Sequence, residues 1–318
     1  MQNKPCVAVG ISGGIDSAMT AYLLKESGFR VIGITMQTWD QNKAMQNTVK
    51  SGCFGPAQEE SIQSAARLCQ KMGIEHYVIP LQEEFQQKVI NYFCQTYLRG
   101  KTPNPCLVCN AYIKFALLPE KAHSLGLEFD YFATGHYAKV DYNKELQRYQ
   151  IKKAKDTNKD QSYFLAFLTQ EQLARTLFPL GNYTKPEIKK MAADIGFGEL
   201  VSRQESQDFL QSSDLAVLFK AEDFQEGEIV DLSGKVIGTH KGIINYTIGQ
   251  RRNLGAKGFH EPRFVLEIDA EKNRIVIGTK EYLFKNRCLA TNMNWVSISA
   301  PAKQFRAKAK IRFLHTPA

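Results

Sequence analysis

The sequence has no run of about 18 apolar residues and no long apolar segment near its start. The first absence argues against a membrane-spanning helix, and the second against a secretory signal peptide. Cysteine is sparse: the seven residues, at positions 6, 53, 69, 94, 106, 109 and 288, are odd in number and too few for a disulfide scaffold. We therefore expect reduced thiols in a cytoplasmic protein that has no contact with a membrane.

The chain also lacks the extremes of composition that mark disordered, collagen-like or coiled-coil proteins. Its 318 residues are 43% hydrophobic and 23% charged, which is ordinary for a globular protein. A chain of this length corresponds to roughly two domains of about 150 residues each and buries enough surface to fold without crosslinks.

Negative charge is scarce in one part of the chain only. The net charge is +9, and residues 231–318 contain 16 Lys and Arg against 6 Asp and Glu, whereas the preceding residues contain 25 and 26. A concentrated basic region indicates a polyanionic partner, with nucleic acid the first candidate, or else a solvated basic surface.

The pattern of apolar segments predicts an α/β fold. CVAVGIS (6–12) and VIGITM (31–36) are typical of buried parallel strands, and the amphipathic segment between them is typical of a helix. Further helices and strands alternate to about residue 204, including a helix that Thr184 caps. We expect a doubly wound parallel sheet over residues 1–204.

After residue 204 the pattern changes to β structure. Hairpins are predicted around Ser233-Gly234 and over 264–279, and AKAKIRFLHT (307–316) alternates like a strand. We expect a central β domain over 205–279 and a C-terminal β domain, a partial barrel cut short, over 280–318.

Two common phosphate-binding signatures are absent: there is no G-x-x-x-x-G-K-[ST] and no G-x-G-x-x-G. Instead SGGIDS (12–17) joins the first strand to the first helix. Its glycines allow a sharp turn, and its N–H groups and the helix N-terminus would point at an anion. The sequence predicts a phosphate site here, with Asp16 a candidate ligand of Mg²⁺.

Cys106 and Cys109 form a C-x-x-C, and Pro103 and Pro105 predict that residues 101–110 are a loop. Three interpretations are open: half of a zinc site, two ligands of an iron–sulfur cluster, and reactive sulfur chemistry, which we favour. Lys101, Lys114 or a helix N-terminus near residue 112 would raise the thiolate fraction.

Seven strings occur in an order that resembles the tRNA-specific 2-thiouridylase family (MnmA, also called TrmU), which belongs to the PP-loop ATP pyrophosphatases. They are SGGIDS, KTPNPCLVCNAYIKF, ATGHYA, KDQSYFL, FPLG with TKPEIKKMA, ESQD and YTIGQRRNLG. The matches cover nearly the whole chain. The resemblance implies an adenine nucleotide alpha hydrolase-like domain that binds ATP and tRNA, adenylates the C2 oxygen of the wobble uridine, and replaces it with sulfur.

Residue roles carried over from the resemblance fall into three groups. The ATP site comprises Gly10, Ile11, Ser12, Gly13, Gly14, Ile15, Asp16 and Ser17, with Met36 and Gly135 along the adenosine. The target base and the rest of the tRNA contact Asn104, Pro105, Cys106, His136, Lys159, Asp160, Gln161, Arg312 and Phe313. The sulfur nucleophile is Cys109, and its sulfur comes from a persulfide-donating carrier or a cysteine desulfurase.

The sequence departs from the family pattern at a second catalytic cysteine, which the family usually has two residues after E-S-Q-D. Leu210 stands at that position here. Leucine cannot carry a persulfide, so we hypothesise that Cys106 takes the partner role and forms a disulfide with Cys109. Two alternatives stay open: a tRNA-binding homologue that has lost sulfur transfer, and another adenylating PP-loop enzyme.

Overall fold

The computed structural model describes residues 4–40, 53–202, 209, 217–255 and 258–318. The chain forms two compact units. The first unit is built from Met1–Phe85, Cys106–Phe209 and Met293–Ala318, and the second from Gln86–Pro105 and Leu210–Asn292. The domain boundaries proposed above, after residues 204 and 279, stay a prediction.

The first unit contains the predicted parallel sheet, with strand order β3-β2-β1-β4-β7. Its strands are β1 (Cys6–Gly10), β2 (Arg30–Gln37), β3 (Glu75–Pro80), β4 (Tyr131–Ala133) and β7 (Thr176–Leu177). All four pairings are parallel, and Val7 of β1 lies opposite Val31 of β2 and Tyr131 of β4. The α/β prediction is confirmed. The first unit also contains the antiparallel hairpin of β5 (Ala138–Asn143) and β6 (Arg148–Lys153), which was not predicted from the sequence.

The described part of the chain contains several helices. They are α1 (Ile15–Glu26), α2 (Gln58–Met72), α3 (Gln82–Phe85), α4 (Asn91–Leu98), α5 (Pro105–Val108), α6 (Leu118–Ser124), α7 (Gln170–Ala174), α8 (Lys185–Asp194) and α9 (Gly198–Val201). Wider π turns occupy Gln86–Ile90 and Cys109–Leu117. Short 3₁₀ turns span Ser162–Leu165, Pro179–Asn182, Ala221–Asp223, Ile243–Asn245 and Lys280–Leu283.

The core of the first unit lies between the sheet and the helices α1, α2, α8 and α9. Because side chains alternate along a strand, Val7 and Val9 of β1 share one face, where they cluster with Met19 of α1 and Leu68 of α2. Because β1 lies buried at the centre of the sheet, the position of the loop that follows it is fixed relative to β2 and β4.

The predicted loop over residues 101–110 is wrong in its second half, because helix starts at Pro105. A proline is tolerated in the first turn of a helix, where its missing N–H has no intrahelical partner. The C-x-x-C therefore lies in helical structure, and Cys106 and Cys109, three residues apart, share one side of it.

The second unit contains a four-stranded sheet of order β10-β11-β8-β9. Its strands are β8 (Glu226–Val230), β9 (Val236–Lys241), β10 (Phe264–Asp269) and β11 (Arg274–Gly278). The pairs β8–β9 and β10–β11 are antiparallel, so both predicted hairpins are confirmed. Ile229, Val265, Ile275 and Ile277 form the centre of its apolar core.

The strand predicted over 307–316 is wrong, because residues 284–318 form no strand. Ala309 and Ala318 exchange two backbone hydrogen bonds of 2.9 Å, but a single such pair does not make a ladder. Alternation in sequence becomes a strand only where a partner strand accepts its hydrogen bonds. In the described part of the chain, no helix is long and apolar enough to cross a bilayer.

Candidate active site

The loop between β1 and α1 makes the tight turn that its glycines predict. Gly13 has a φ of +79°, and a Cβ there would lie 2.8 Å from the backbone oxygen of Ser61. The Ser17 Oγ donates to Gly14 O at 3.0 Å and accepts the Ser12 N–H at 3.2 Å. These bonds hold the loop against the N-terminus of α1, whose first N–H groups have no intrahelical acceptor and suit an anion.

This loop opens onto a cavity of about 280 Å³ at the carboxyl ends of β1, β2 and β4. Strand order reverses at β1, between β2 and β4, which is where open parallel sheets bind their ligands. The cavity lining includes most residues predicted for the nucleotide: Gly10, Ile11, Ser12, Asp16, Ser17, Met36 and Gly135. Of the remaining three, Gly13 and Gly14 shape the turn, and Ile15 is buried in the apolar core.

Gly135 is fixed by close packing rather than by its backbone conformation. A Cβ at this position would lie 2.9 Å from the main-chain carbon of Asp16 and 3.0 Å from the Ser17 nitrogen. These neighbours are backbone at the start of α1 and cannot move aside. Glycine here lets the chain after β4 approach the loop between β1 and α1.

Asp16 lies between the cavity and a buried cation. The Nζ of Lys185 is 2.8 Å from Oδ1 and 2.7 Å from Oδ2 of Asp16, and the Tyr137 hydroxyl donates to Oδ1 at 2.9 Å. Because an ammonium already neutralises both oxygens, this arrangement does not fit Asp16 as a direct ligand of Mg²⁺. Sequence reasoning missed Lys185 and Tyr137, although Lys185 stands in the TKPE string.

Cys109 begins the π turn that follows α5; the residue as a whole is partly exposed, but its thiol is enclosed by surrounding protein atoms. Burial raises the pKa of Cys109 to about 12, the nearby thiols of Cys53 and Cys106 raise it further, and Lys114 acts in the opposite direction. Lys114 favours the thiolate, as the sequence predicts, but desolvation of the thiol outweighs its effect.

Lys114 and His136 line the cavity together with Cys53. His136 Nδ1 lies 2.7 Å from the Thr134 hydroxyl, and the ring lies among Phe115 and Phe178. Burial, together with Lys114, lowers the pKa of His136 well below its ordinary value. His136 is therefore neutral at pH 7, and Lys114 supplies positive charge at this end of the cavity.

The Lys159–Gln161 segment is a turn, and the side chains of Asp160 and Gln161 make hydrogen bonds within the protein. Asp160 accepts hydrogen bonds from the Ala154 N–H at 3.0 Å and the Ser162 hydroxyl at 2.8 Å. Gln161 accepts the Tyr137 N–H at 2.9 Å and lines the cavity. Their predicted contacts with tRNA stay a prediction.

An aromatic group joins two of the segments predicted to contact tRNA. The Phe313 ring lies 4.6 Å from the Phe164 ring and 6.1 Å from the Tyr163 ring. Asn110, next to Cys109, donates to Phe164 O at 2.9 Å. Tyr163 and Phe164, which follow Gln161 in the sequence, therefore lie beside Phe313 and beside the helical segment that begins at Cys109. Arg312, the residue before Phe313, is exposed.

Two predicted site residues, Asn104 and Pro105, and the departure at Leu210 remain. The Asn104 N–H lies 3.4 Å from the Tyr92 hydroxyl within the second unit, and Pro105 begins α5. Leu210 lies outside the described residues. Its neighbour Phe209 is buried and stacks on Phe54, which follows Cys53. Among the described residues, no group of three or more His, Cys, Asp and Glu could hold a metal ion.

The parallel sheet, the glycine turn after β1 and the cavity at the strand ends define a nucleotide-binding domain of the PP-loop class. Two family models match the chain: the tRNA methyl transferase HUP domain over residues 5–211 and the tRNA methyl transferase PRC-barrel domain over residues 216–279.

Named relatives identify the family more narrowly. The tRNA-specific 2-thiouridylase MnmA 1 of Caldanaerobacter subterraneus is 44% identical over 96% of this chain and 84% of that protein. The tRNA-specific 2-thiouridylase MnmA of Endomicrobium trichonymphae is 43% identical over 100% of this chain and 88% of that protein, and that of Clostridioides difficile is 42% identical over 98% and 85%. The chain belongs to the tRNA-specific 2-thiouridylase family.

Proposed function

We propose that this chain is an ATP-dependent sulfurtransferase that converts the wobble uridine of tRNA to 2-thiouridine. The observation that carries the proposal is the cavity after β1, which joins the glycine turn to Lys114 on the helix of Cys109. Membership of the 2-thiouridylase family supports the same activity.

The first step is adenylation of the base. The C2 oxygen of the uridine attacks the α-phosphorus of ATP, pyrophosphate leaves, and the oxygen becomes part of an AMP leaving group. The N–H groups at the turn and at the start of α1 would hold the phosphates, and Met36 and Gly135 would line the adenosine. The Lys114 ammonium would stabilise the negative charge that develops.

The second step is sulfur transfer. The outer sulfur of a persulfide on Cys109 attacks C2, and AMP leaves with the former oxygen. The Cys106 thiol then attacks the Cys109 sulfur, which releases the 2-thiouridine and leaves a Cys106–Cys109 disulfide that an external thiol reduces. The placement of both cysteines on one side of a helical segment supports this pairing.

The partners follow from the chemistry. The tRNA would contact His136, Asn104–Cys106, Lys159–Gln161, Arg312 and Phe313, and a persulfide-donating carrier or a cysteine desulfurase would load Cys109. The small and odd number of cysteines supports a reducing compartment such as the cytoplasm. Mg²⁺ and an iron–sulfur cluster stay predictions, and no step here depends on either.

The decisive experiment is thiolation in vitro, using the full chain, tRNA, ATP and a persulfide donor, with 2-thiouridine measured by mass spectrometry. We expect Cys109→Ser to abolish the product while tRNA binding is retained. Exposed Cys288, in the second unit, provides the matched control, and Cys288→Ser should be fully active. Unchanged tRNA in the reaction with the wild-type chain would favour the binding homologue.

The same assay tests the role of Cys106. If Cys106 is the partner thiol, Cys106→Ser should retain adenylation, measured as pyrophosphate release, but lose 2-thiouridine. If Cys106→Ser instead thiolates tRNA at the wild-type rate, release of 2-thiouridine from Cys109 does not require a thiol at position 106.

A further inference from the structure

The buried ammonium of Lys185 is the feature that the mechanism above does not use. Lys185 begins α8, and only 5% of its surface is exposed. Removing an ammonium from water is costly unless an opposite charge compensates for the lost hydration. That compensation comes from both carboxylate oxygens of Asp16, at 2.7 and 2.8 Å.

Asp16 connects this cation to the cavity. Its carboxylate lines the cavity and is 29% exposed, whereas the Lys185 side chain lies behind it at 6%. An unneutralised carboxylate at this position would repel a polyphosphate bound at the start of α1. The ion pair removes that repulsion without placing the lysine in the ligand's path.

Tyr137 fixes the geometry of the pair. Its hydroxyl donates to Asp16 Oδ1, and its ring lies 5.8 Å from the Lys185 ammonium. The backbone of Tyr137 is held in turn by two hydrogen bonds to Gln161. The backbone N–H of Lys185 donates to Asp156 at 2.9 Å, which anchors the other end of the side chain.

We propose that Lys185 is a positioning residue of the nucleotide site, which neutralises and orients Asp16 so that the glycine turn accepts a polyphosphate. The proposal deepens the nucleotide-binding part of the proposed function and rests on it. Its physical consequence is specific: the contribution of Lys185 should increase with the number of phosphates on the ligand and vanish for the nucleoside.

The test is calorimetric titration of the full chain with ATP, ADP, AMP and adenosine in EDTA, so that no divalent cation contributes. For Lys185→Met we expect the dissociation constant of ATP to rise at least tenfold, that of AMP less, and that of adenosine less than twofold. Lys190→Met removes an exposed charge from the same helix and should change none of them.

Two further variants separate charge from structure. Asp16→Asn keeps the shape and an acceptor for Tyr137 but leaves the Lys185 charge unopposed, so ATP should bind at least as tightly as to the wild type. Asp16→Asn combined with Lys185→Met removes both charges and should recover most of the ATP affinity that Lys185→Met alone loses. The Asp16→Asn result decides the question even if Lys185→Met does not fold.

Two results would overturn the role of Lys185. One is an equal loss of affinity for ATP and for adenosine in Lys185→Met. The other is a loss of ATP affinity in Asp16→Asn, relative to the wild type, that exceeds the loss of adenosine affinity. If the wild-type chain binds none of the four compounds, the nucleotide site itself is wrong and the role of Lys185 falls with it.

Discussion

At the scale of the residue, the main finding is that the nucleophile predicted from the sequence lies in surroundings that disfavour its reactive form. Burial raises the pKa of Cys109 to about 12, and Lys114 only partly opposes this. The identity and spacing of the cysteines can be read from the sequence. The protonation state of the Cys109 thiol cannot, because its desolvation depends on neighbours from other segments of the chain.

This predicts slow, steeply pH-dependent alkylation of Cys109 by iodoacetamide. A pKa near 12 leaves about a thousandfold less thiolate at pH 7 than an ordinary thiol has. The rate should rise about tenfold per pH unit between pH 7 and 9, since the group loses its proton as pH rises. Peptide mass spectrometry of the unliganded chain measures it.

Lys114→Met should slow Cys109 alkylation further, because burial and the neighbouring thiols of Cys53 and Cys106 would then favour the neutral thiol unopposed. Exposed Cys288 in the same sample provides the internal reference. If Cys109 reacts as fast as Cys288 at pH 7, desolvation does not raise the pKa of the Cys109 thiol as described.

At the scale of the element, α8 shows how a helix start can serve a distant site. Thr184 forms a capping box with Glu187, whose carboxylate also binds the Lys155 ammonium at 2.7 Å. The Thr184 cap was predicted from the sequence. That the first residue of this helix, Lys185, reaches Asp16 depends on tertiary packing.

We expect Thr184→Ala to destabilise the fold by about 1 kcal/mol and to weaken ATP binding several-fold, because losing the cap frees the turn that holds Lys185. Thr169 caps α7 with the same capping box and provides the matched control. Thr169→Ala should lose similar stability, measured by urea unfolding, with no change in ATP affinity. Equal effects of the two variants on ATP affinity would contradict this account.

At the scale of the whole molecule, charge is divided unevenly along the chain. Residues 231–318 hold 16 Lys and Arg against 6 Asp and Glu. Part of this basic stretch, Met293–Ala318, belongs to the first unit, where Lys310 lies 5.3 Å from the Phe313 ring. The basic region therefore reaches the unit that holds the cavity.

If this region contacts the tRNA backbone, the affinity should fall steeply with salt. Changing Lys310 and Arg312 together to Gln should weaken tRNA binding and reduce the slope of log K against log salt by about two, since each phosphate contact contributes about 0.9. Filter binding between 50 and 300 mM KCl measures the slope. An unchanged slope, equal to that of the control Lys190→Gln, would exclude both cations from the interface.

The sequence by itself determined the local chemistry: the glycine turn after a buried strand, the cysteine pair, the helix caps, both hairpins of the second unit and the excess of positive charge. These are properties of neighbouring residues, and periodicity and turn chemistry report them directly. Only the tertiary structure decided that Lys185 neutralises Asp16 from 169 residues away, that helix begins at Pro105, and that residues 307–316 form no strand. Each of these depends on which distant backbone or charge is available as a partner, and that is fixed only when the chain packs.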